Sequence, residues 1–204
     1  MSETVITASD GKEYVRRFGP HFIIQHILMF TSVILLVLTG IPLWRIDFHG
    51  GLWWDQAFLK NVGFLELMSG IHRAAAILLI VDCVYHVFYT TFTREGRREF
   101  INLLPTVKDF TDVAENLMYF VGIRKEPPRF GRFTYYEKFD YWAVYWGCVI
   151  MIGSGLALWY PQITAKYAPW MTYDLAALIH ADEALLCALA LFIWHFYNVH
   201  FNPA

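Results

Sequence analysis

The chain has 204 residues, of which 57% are hydrophobic, 18% aromatic and only 17% charged, and its formal net charge is −2. Globular proteins carry about 25% charged residues, so this composition indicates an integral membrane protein and excludes a disordered or collagen-like chain. The small net charge offers no basic surface for nucleic acid. The three cysteines form no CxxC or CxxCH pattern, which excludes a disulfide framework, a cysteine-ligated metal site and covalently attached haem.

Four apolar segments are long enough to cross a bilayer, which takes about 20 helical residues. They cover residues 22–44, 71–92, 141–160 and 175–199. Lipid cannot satisfy backbone N–H and C=O groups, so segments inside it must be helical. The sequence therefore predicts an all-α fold, in which one integral membrane domain over residues 1–204 forms an up-down bundle of four transmembrane helices.

The orientation of this bundle is predicted from its Lys and Arg residues, which favour the cytoplasmic side. Three precede the first span, nine lie between the second and third spans, and three lie in the other two loops. The polar N-terminal segment does not resemble a cleaved signal peptide. We therefore expect a multi-pass protein of the cell inner membrane with both termini in the cytoplasm. Aromatic residues at the other ends of the spans indicate the periplasmic interface: Trp44, Trp53, Trp54, Trp159, Tyr160 and Trp170.

The long cytoplasmic loop over residues 93–140 has its own periodicity. Apolar residues recur at three- and four-residue steps: Leu103, Leu104, Val107, Phe110, Val113, Leu117 and Phe120. Charged residues fill the other face: Lys108, Asp109, Asp112 and Glu115. This pattern predicts an amphipathic helix. Such a helix would lie on the membrane surface or against the bundle, or it would pack on a soluble partner subunit.

Histidines inside two of the spans are the strongest functional signal, because polar side chains in lipid are costly and usually mark function. His72 and His86 are 14 residues apart, which places them within about 40° of one helix face and about 21 Å apart. His180 and His195 are 15 residues apart, which gives about 60° and about 22 Å.

Alternate helices of an up-down bundle run parallel. His72 is therefore predicted to face His180 near the periplasmic side, and His86 to face His195 near the cytoplasmic side. Two facing pairs at matched depths predict two stacked haem b sites, each with two imidazole ligands. An isolated membrane histidine more often hydrogen-bonds to another helix, and a metal-ion transporter would cluster its ligands at one depth.

Other residues agree with haem. Arg73 follows His72 and would place a cation near a haem propionate, or it would be an interfacial charge. Glycines in the first and third spans allow a flat ring to approach the backbone, although they also serve ordinary helix packing. These are Gly40, Gly147, Gly153 and Gly155.

The ligand-bearing spans resemble a known family. The second span is similar to a haem-binding helix of the cytochrome b of bc and b/f complexes over GIHRAAAILLIVDCVYHVFY, including its HR dipeptide. The fourth is similar to the other ligand helix of that family over IHADEALLCALALFIWHFYNVHF. Size and layout resemble more closely the four-helix cytochrome b subunit of respiratory formate dehydrogenases and nickel–iron hydrogenases. The segments QHILMFTSVILLVLTGIPLW and RFTYYEKFDYW carry that likeness.

The two relatives imply different ligands for the cytoplasmic-side haem. The formate dehydrogenase type implies His26 with His195, and the bc type implies His86 with His195. We prefer His86, because the formate dehydrogenase type lacks that histidine and this chain has it at ligand spacing. His26 stays the alternative sixth ligand.

The resemblance implies a dihaem membrane subunit that carries electrons between a periplasmic redox partner and the quinone pool. The partner would be an iron–sulfur protein or a multihaem cytochrome c within a hetero-oligomeric complex. A quinone, menaquinone or ubiquinone, would bind near the entry to the third span, at Thr134, Tyr136 and Glu137. The chain would be the electron-transfer subunit rather than the substrate-oxidising one, because it lacks ligands for molybdenum, nickel and iron–sulfur clusters.

Two other functions compete with this prediction. One is a self-contained transmembrane reductase that passes electrons to a ferric chelate. The other is a histidine-dependent transporter. A chain that reduces chelates without other subunits would favour the first, and a chain without a haem absorption band would favour the second.

Overall fold

The computed structural model describes residues 5–7, 13–15, 18–48 and 62–201. Apart from a short antiparallel pair of strands, β1 (Val5–Thr7) and β2 (Glu13–Val15), the described residues form helices and their connections. The helices are α1 (Pro20–Phe48), α2 (Val62–Phe92), α3 (Arg94–Asn102), α4 (Val107–Phe120), α5 (Tyr135–Trp159), α6 (Pro161–Tyr167), α7 (Tyr173–Leu189) and α8 (Phe196–His200). A π-helical turn, Ala190–His195, joins α7 to α8. The predicted interfacial residues Trp53 and Trp54 lie outside the described residues.

Four helical segments are long and apolar enough to cross a membrane, as the sequence predicted. They are Pro20–Trp44, Val62–Phe92, Tyr135–Trp159 and Tyr173–Asn198. The second begins before the predicted residue 71, since residues 62–70 include the good helix formers Leu, Glu and Met.

The third span also begins earlier than predicted, at Tyr135 instead of residue 141. Thr134 and Glu137 form a capping box there. The Glu137 backbone N–H donates to the Thr134 hydroxyl at 3.3 Å, and the Thr134 backbone N–H donates to the Glu137 carboxylate at 2.8 Å. This reciprocal cap satisfies N–H groups that the first turn of a helix leaves unpaired, so the helix starts at the cap.

The chain divides into two compact units, Met1–His86 and Val87–Ala204, with the boundary inside α2. In the first unit α1 and α2 are antiparallel. Thr39, late in α1, contacts His72, early in α2, and Gln25 contacts His86 at the other end.

The second unit contains an antiparallel pair of the same kind. Ser154, late in α5, contacts His180, early in α7. At the other end of the pair, Asp140 in α5 lies beside His195.

Burial in the spans is inverted relative to a water-soluble protein. Ser32 is fully buried, and the hydroxyl-bearing Thr39 and Ser154 are at most 4% exposed. Large apolar side chains point outward instead: Phe30 is 60% exposed and Leu38 is 63% exposed. Small and polar residues at helix contacts with apolar residues outside are typical of helices that pack in lipid.

The predicted amphipathic helix of the long loop is α4, which begins at Val107 rather than at Leu103 because the segment 103–106 contains Pro105; a further helix, α3, precedes it. Proline lacks an N–H and disfavours the helical conformation in the residue before it. Thr93 caps the start of α3 by accepting a hydrogen bond from the Gly96 N–H at 3.0 Å. Gly96 lies directly against the Tyr89 carbonyl in the last turns of α2, where a Cβ would overlap the backbone.

The charged face of α4 packs on the chain, and its apolar face points away. Asp112 is buried and pairs with Lys108 at 2.6 Å, and Asp109 pairs with Lys138 of α5 at 2.9 Å. By contrast, Val107 is 82% exposed and Phe110 is 75% exposed. The apolar face of α4 therefore does not lie against the rest of the chain.

We predict that acid weakens the docking of α4 on α5. Partial burial raises the pKa of Asp109, but the hydrogen bonds from Lys138 and Thr106 outweigh this effect and hold the pKa below its usual value. A lowered folded-state pKa stabilises the folded state above the unfolded-state pKa, near ~4, and this contribution is lost as the pH falls through the folded-state pKa. Hydrogen exchange in α4, corrected for intrinsic rates, should therefore accelerate below about pH 4.

The matched control is Asp109→Asn, which keeps a side-chain oxygen for the helix cap but cannot titrate. Its α4 amides should exchange faster than those of the native chain at pH 7, and they should lack the acid-dependent step. Protection of α4 that is identical in both proteins at every pH would contradict the role given to this ion pair.

Candidate functional site

His72 is held against α1 by a hydroxyl and a glycine that are adjacent in sequence. Its Nδ1 lies 2.9 Å from the hydroxyl of Thr39, and that hydroxyl donates its own proton to the Leu35 carbonyl at 2.6 Å. The Thr39 oxygen must therefore accept a proton from His72 Nδ1. The ring also packs on Gly40, where a Cβ would lie 3.4 Å from His72 Cε1.

His180 has the same surroundings on α5. Its Nδ1 lies 3.0 Å from the hydroxyl of Ser154, which donates to the Ile150 carbonyl at 2.7 Å. Gly155 follows Ser154, and a Cβ there would lie 3.1 Å from His180 Cε1. A hydroxyl residue followed by glycine therefore orients one imidazole in each unit.

The other two candidate ligands have oxygen partners of a different kind. His86 Nδ1 lies 2.8 Å from Oε1 of Gln25, which is buried. His195 Nδ1 lies 3.5 Å from Oδ2 of Asp140. The first oxygen belongs to α1 and the second to α5, so each lies on the other membrane span of its unit.

The hydrogen bonds of His72, His86 and His180 favour one imidazole tautomer, and the nearby Asp140 carboxylate favours the same tautomer in His195. An oxygen that accepts at Nδ1 places the proton on that nitrogen, so Nε2 carries the lone pair. A metal-bound histidine normally donates its other N–H to an oxygen in this way, which fixes the ring orientation and raises its basicity. His72, His86, His180 and His195 therefore have the protonation pattern of Nε2 metal ligands.

The oxygen partners repeat with the period of the histidines. Gln25 and Thr39 in α1 have the same separation in sequence as His72 and His86, and so have Asp140 and Ser154 in α5. Each unit thus contains an oxygen-bearing helix and a histidine-bearing helix that contact each other at two levels.

The π-helical turn explains why the two histidine spacings differ. The separation of His180 from His195 is one position longer than that of His72 from His86, and Ala190–His195 is π-helical. A π turn accommodates one extra residue within an α-helix and is frequent at functional sites. The displacement of about 60° predicted from ideal α-helical geometry is therefore wrong for this pair.

His26 and His86, the two alternative ligands, have different surroundings in the structure. His26 is exposed, whereas its neighbour Gln25 is buried and contacts His86. Arg73 is also exposed and follows His72 in α2. The choice of His26 or His86 as ligand, and the propionate role of Arg73, stay predictions.

The predicted quinone residues lie together at the start of α5. Thr134 and Glu137 form its capping box, which gives both a structural role. The ring of Tyr136 packs edge-on against Phe130 and Tyr135, at 6.1 Å and 5.4 Å between centroids. An aromatic cluster next to a carboxylate is compatible with a ring-shaped ligand.

The buried side chains of Asp82 and Gln25 contain polar atoms that have no hydrogen-bond partner among the described residues. Both carboxylate oxygens of Asp82 are unpaired, and this residue is 1% exposed. In Gln25 the unpaired atom is the Nε2 amide. Unpaired buried polar atoms are rare and require an explanation such as a bound water, an ion or a proton-handling role.

The four glycines of the first and third spans have different neighbours. Gly40 and Gly155 contact the imidazoles, as described above, and Gly147 packs against Cys187 Sγ and Glu183 Oε1, which would lie 3.1 Å and 3.2 Å from an added Cβ. Gly153 faces open space. Of the four glycines noted in the sequence, two therefore make room for the imidazole of a candidate haem-ligating histidine.

The oxygen partners were not identified from the sequence, although a signal for them exists. It is the repetition in α1 and α5 of the same step that separates His72 from His86. Within the described ranges, no three His, Cys, Asp or Glu side chains come together as a metal-ion site.

Comparison of the chain with protein-family models gave no match, and comparison with characterised proteins gave none either.

We predict that Thr39→Val destabilises the folded protein, whereas Thr39→Ser does not. Valine keeps the shape of threonine but removes the hydroxyl oxygen beside His72 Nδ1, and a lost hydrogen bond costs about 0.5–1.5 kcal/mol. Serine keeps the accepting oxygen. Thermal unfolding in a mild detergent measures the difference, and equal stability of the two variants would show that the hydroxyl does not hold the imidazole.

Proposed function

We propose that the chain is a b-type dihaem membrane subunit that carries electrons between a periplasmic redox partner and the membrane quinone pool. The observation that carries the proposal is the repeated arrangement of imidazoles. Each unit presents two of them at nearly the same sequence separation, and each imidazole has an oxygen at Nδ1. Hydrogen-bonding histidines of ordinary helix packing would have no reason to share this pattern.

The residues fit haem by their chemistry. Neutral imidazole with the proton on Nδ1 can bind iron through Nε2. Gly40 and Gly155 let the rings of His72 and His180 pack closely on the facing span. His72 and His180 would hold one haem, and His86 and His195 the other. This pairing follows from the sequence spacing and the parallel course expected of alternate spans. A bound haem supplies reversible one-electron transfer at its iron.

The oxygen partners give the two ligand pairs different electrostatic surroundings. His72 and His180 contact neutral hydroxyls, whereas the carboxylate of Asp140 lies 3.5 Å from His195 Nδ1. A carboxylate partner makes an imidazole more basic and so favours the oxidised iron. The pair that includes His195 should therefore have the lower reduction potential for otherwise equal surroundings.

The quinone would bind at the start of α5, beside Thr134, Tyr136 and Glu137. Reduction of a quinone takes up protons, and Glu137 is the best candidate to supply them in the segment that the resemblance implies. Asp82 is a second candidate, because it is buried in α2 without a hydrogen-bond partner among the described side chains. A carboxyl group inside a span is costly, so its presence there usually marks a functional role.

We further propose that the chain works with another subunit in a membrane complex. Oxidation of the substrate would belong to another subunit, an iron–sulfur protein or a multihaem cytochrome c on the periplasmic side. The complex would lie in the cell inner membrane, with both termini of this chain in the cytoplasm. The Lys and Arg distribution supports this orientation.

The ligand assignment is tested by alanine substitution. His72→Ala or His180→Ala should remove one haem, and His195→Ala the other, because one imidazole cannot hold a low-spin bis-histidine iron. Haem quantification with redox-resolved spectra of the purified variants measures the outcome. Retention of both haems in His72→Ala or His180→Ala would refute the assignment.

His86→Ala and His26→Ala form the matched comparison for the disputed ligand. We expect His86→Ala to lose the same haem as His195→Ala, and His26→Ala to keep both. The reverse result would show that the formate dehydrogenase pattern applies and that our pairing of His86 with His195 is wrong.

The proton role is tested by Glu137→Gln and Asp82→Asn. Glutamine can also serve in a capping box, so Glu137→Gln removes a titratable proton while it preserves the start of α5. We expect slower quinone turnover and an altered pH profile in at least one variant, with both haems retained. Turnover and pH profiles unchanged in both variants would exclude these carboxylates from proton delivery.

A further inference from the structure

The face of α3 that points away from the rest of the chain is basic. One stripe of this helix and its C-cap is buried and consists of Gly96, Glu99 and Leu103. The other stripe consists of Arg94, Arg97, Arg98 and the 57%-exposed Ile101. The three arginines, with Ile101 and Asn102, line an open cavity of about 310 Å³.

The position of α3 is fixed from its other side. The Phe100 ring packs against Tyr141 and Trp142 of α5, and the Trp142 indole N–H donates to the Leu103 carbonyl at 3.0 Å. Buried Glu99 accepts a hydrogen bond from Arg132 at 2.7 Å. The arginine stripe is therefore presented by a helix with a defined orientation.

One of the three arginines in the stripe forms a salt bridge with an acidic side chain of the described residues. Arg98 pairs with Glu99 at 2.9 Å. Within the part of the chain that the structure describes, neither Arg94 nor Arg97 forms a salt bridge with an acidic side chain. Two guanidinium groups, one helical turn apart, are thus available to an anion from outside the chain.

The apolar stripe of α4 belongs to the same connection between spans. It consists of exposed residues at helical spacing: Val107, Phe110, Leu117, Phe120 and Val121. Only Thr93 separates α3 from the end of α2, and α5 begins at Tyr135. Because α2 and α5 are both candidate membrane spans, α3 and α4 connect two spans at one face of the membrane.

We propose that this connection lies on the bilayer and that Arg94 and Arg97, next to Arg98, bind the headgroup of an anionic phospholipid. The apolar stripe of α4 rests in the adjoining leaflet, since its charged side is occupied by contacts with α5. Clustered arginines next to a transmembrane helix attract anionic lipid, and a guanidinium group binds a phosphodiester through paired N–H donors. The proposal does not depend on haem.

Native mass spectrometry of the full chain in a neutral detergent, titrated with phosphatidylglycerol, tests the site. Each basic residue near an anionic surface contributes about fivefold in affinity, so Arg94→Gln/Arg97→Gln should bind this lipid about 30-fold more weakly. Arg94→Lys/Arg97→Lys should keep most of the affinity, which separates lost charge from a folding defect.

The matched control is Lys125→Gln/Lys166→Gln, which removes two charges elsewhere and should bind phosphatidylglycerol as the native chain does. Phosphatidylcholine should bind weakly to all variants, and millimolar inorganic phosphate should not displace the lipid. Equal binding by the Arg94→Gln/Arg97→Gln variant, or an equal loss in the control pair, would overturn the proposal. Displacement by phosphate would indicate a soluble anion instead. Loss of a co-purifying subunit without loss of lipid would assign the surface to a protein partner.

Discussion

The contact between an imidazole Nδ1 and an oxygen on the facing span organises both units. It is a hydrogen bond to the hydroxyls of Thr39 and Ser154 and to the amide oxygen of Gln25, while the carboxylate of Asp140 lies 3.5 Å from His195 Nδ1. Each contact joins the two antiparallel helices of its unit and fixes the proton on the nitrogen that a metal would not use. The same contacts therefore pair the helices and orient the imidazoles.

A bilayer as solvent explains why polar groups can play this part. Lipid offers no hydrophobic gain for bringing apolar surfaces together, so close packing at small residues and hydrogen bonds between helices select the contacts. Gly155 against His180 is one example of such packing. The same logic applies to α4, in which Asp109 and Asp112 are paired with lysines while Phe110 and Val107 point outward. A basic and apolar outer surface is suited to the membrane rather than to water.

The sequence was sufficient to predict the four spans and to single out the histidines within them, since both depend on local composition and spacing. It could not predict that Thr39 and Ser154 hold the imidazoles, because contacts between helices depend on their relative rotation. The π-helical turn before His195 appears in the sequence only as a histidine spacing that is one position longer than the other. The periodic spacing of apolar residues in α4 was evident from the sequence. Hydrophobic periodicity alone does not indicate, however, whether that face contacts protein or lipid.

The central claim is that these four imidazoles are haem ligands in a two-haem protein. It is tested most directly by the haem content and the electron paramagnetic resonance spectrum of the unmodified, purified chain. We expect two haem b groups per chain, both giving low-spin ferric signals typical of bis-imidazole coordination. A purified, folded chain that contains no haem, or haem whose iron is high-spin, would contradict it.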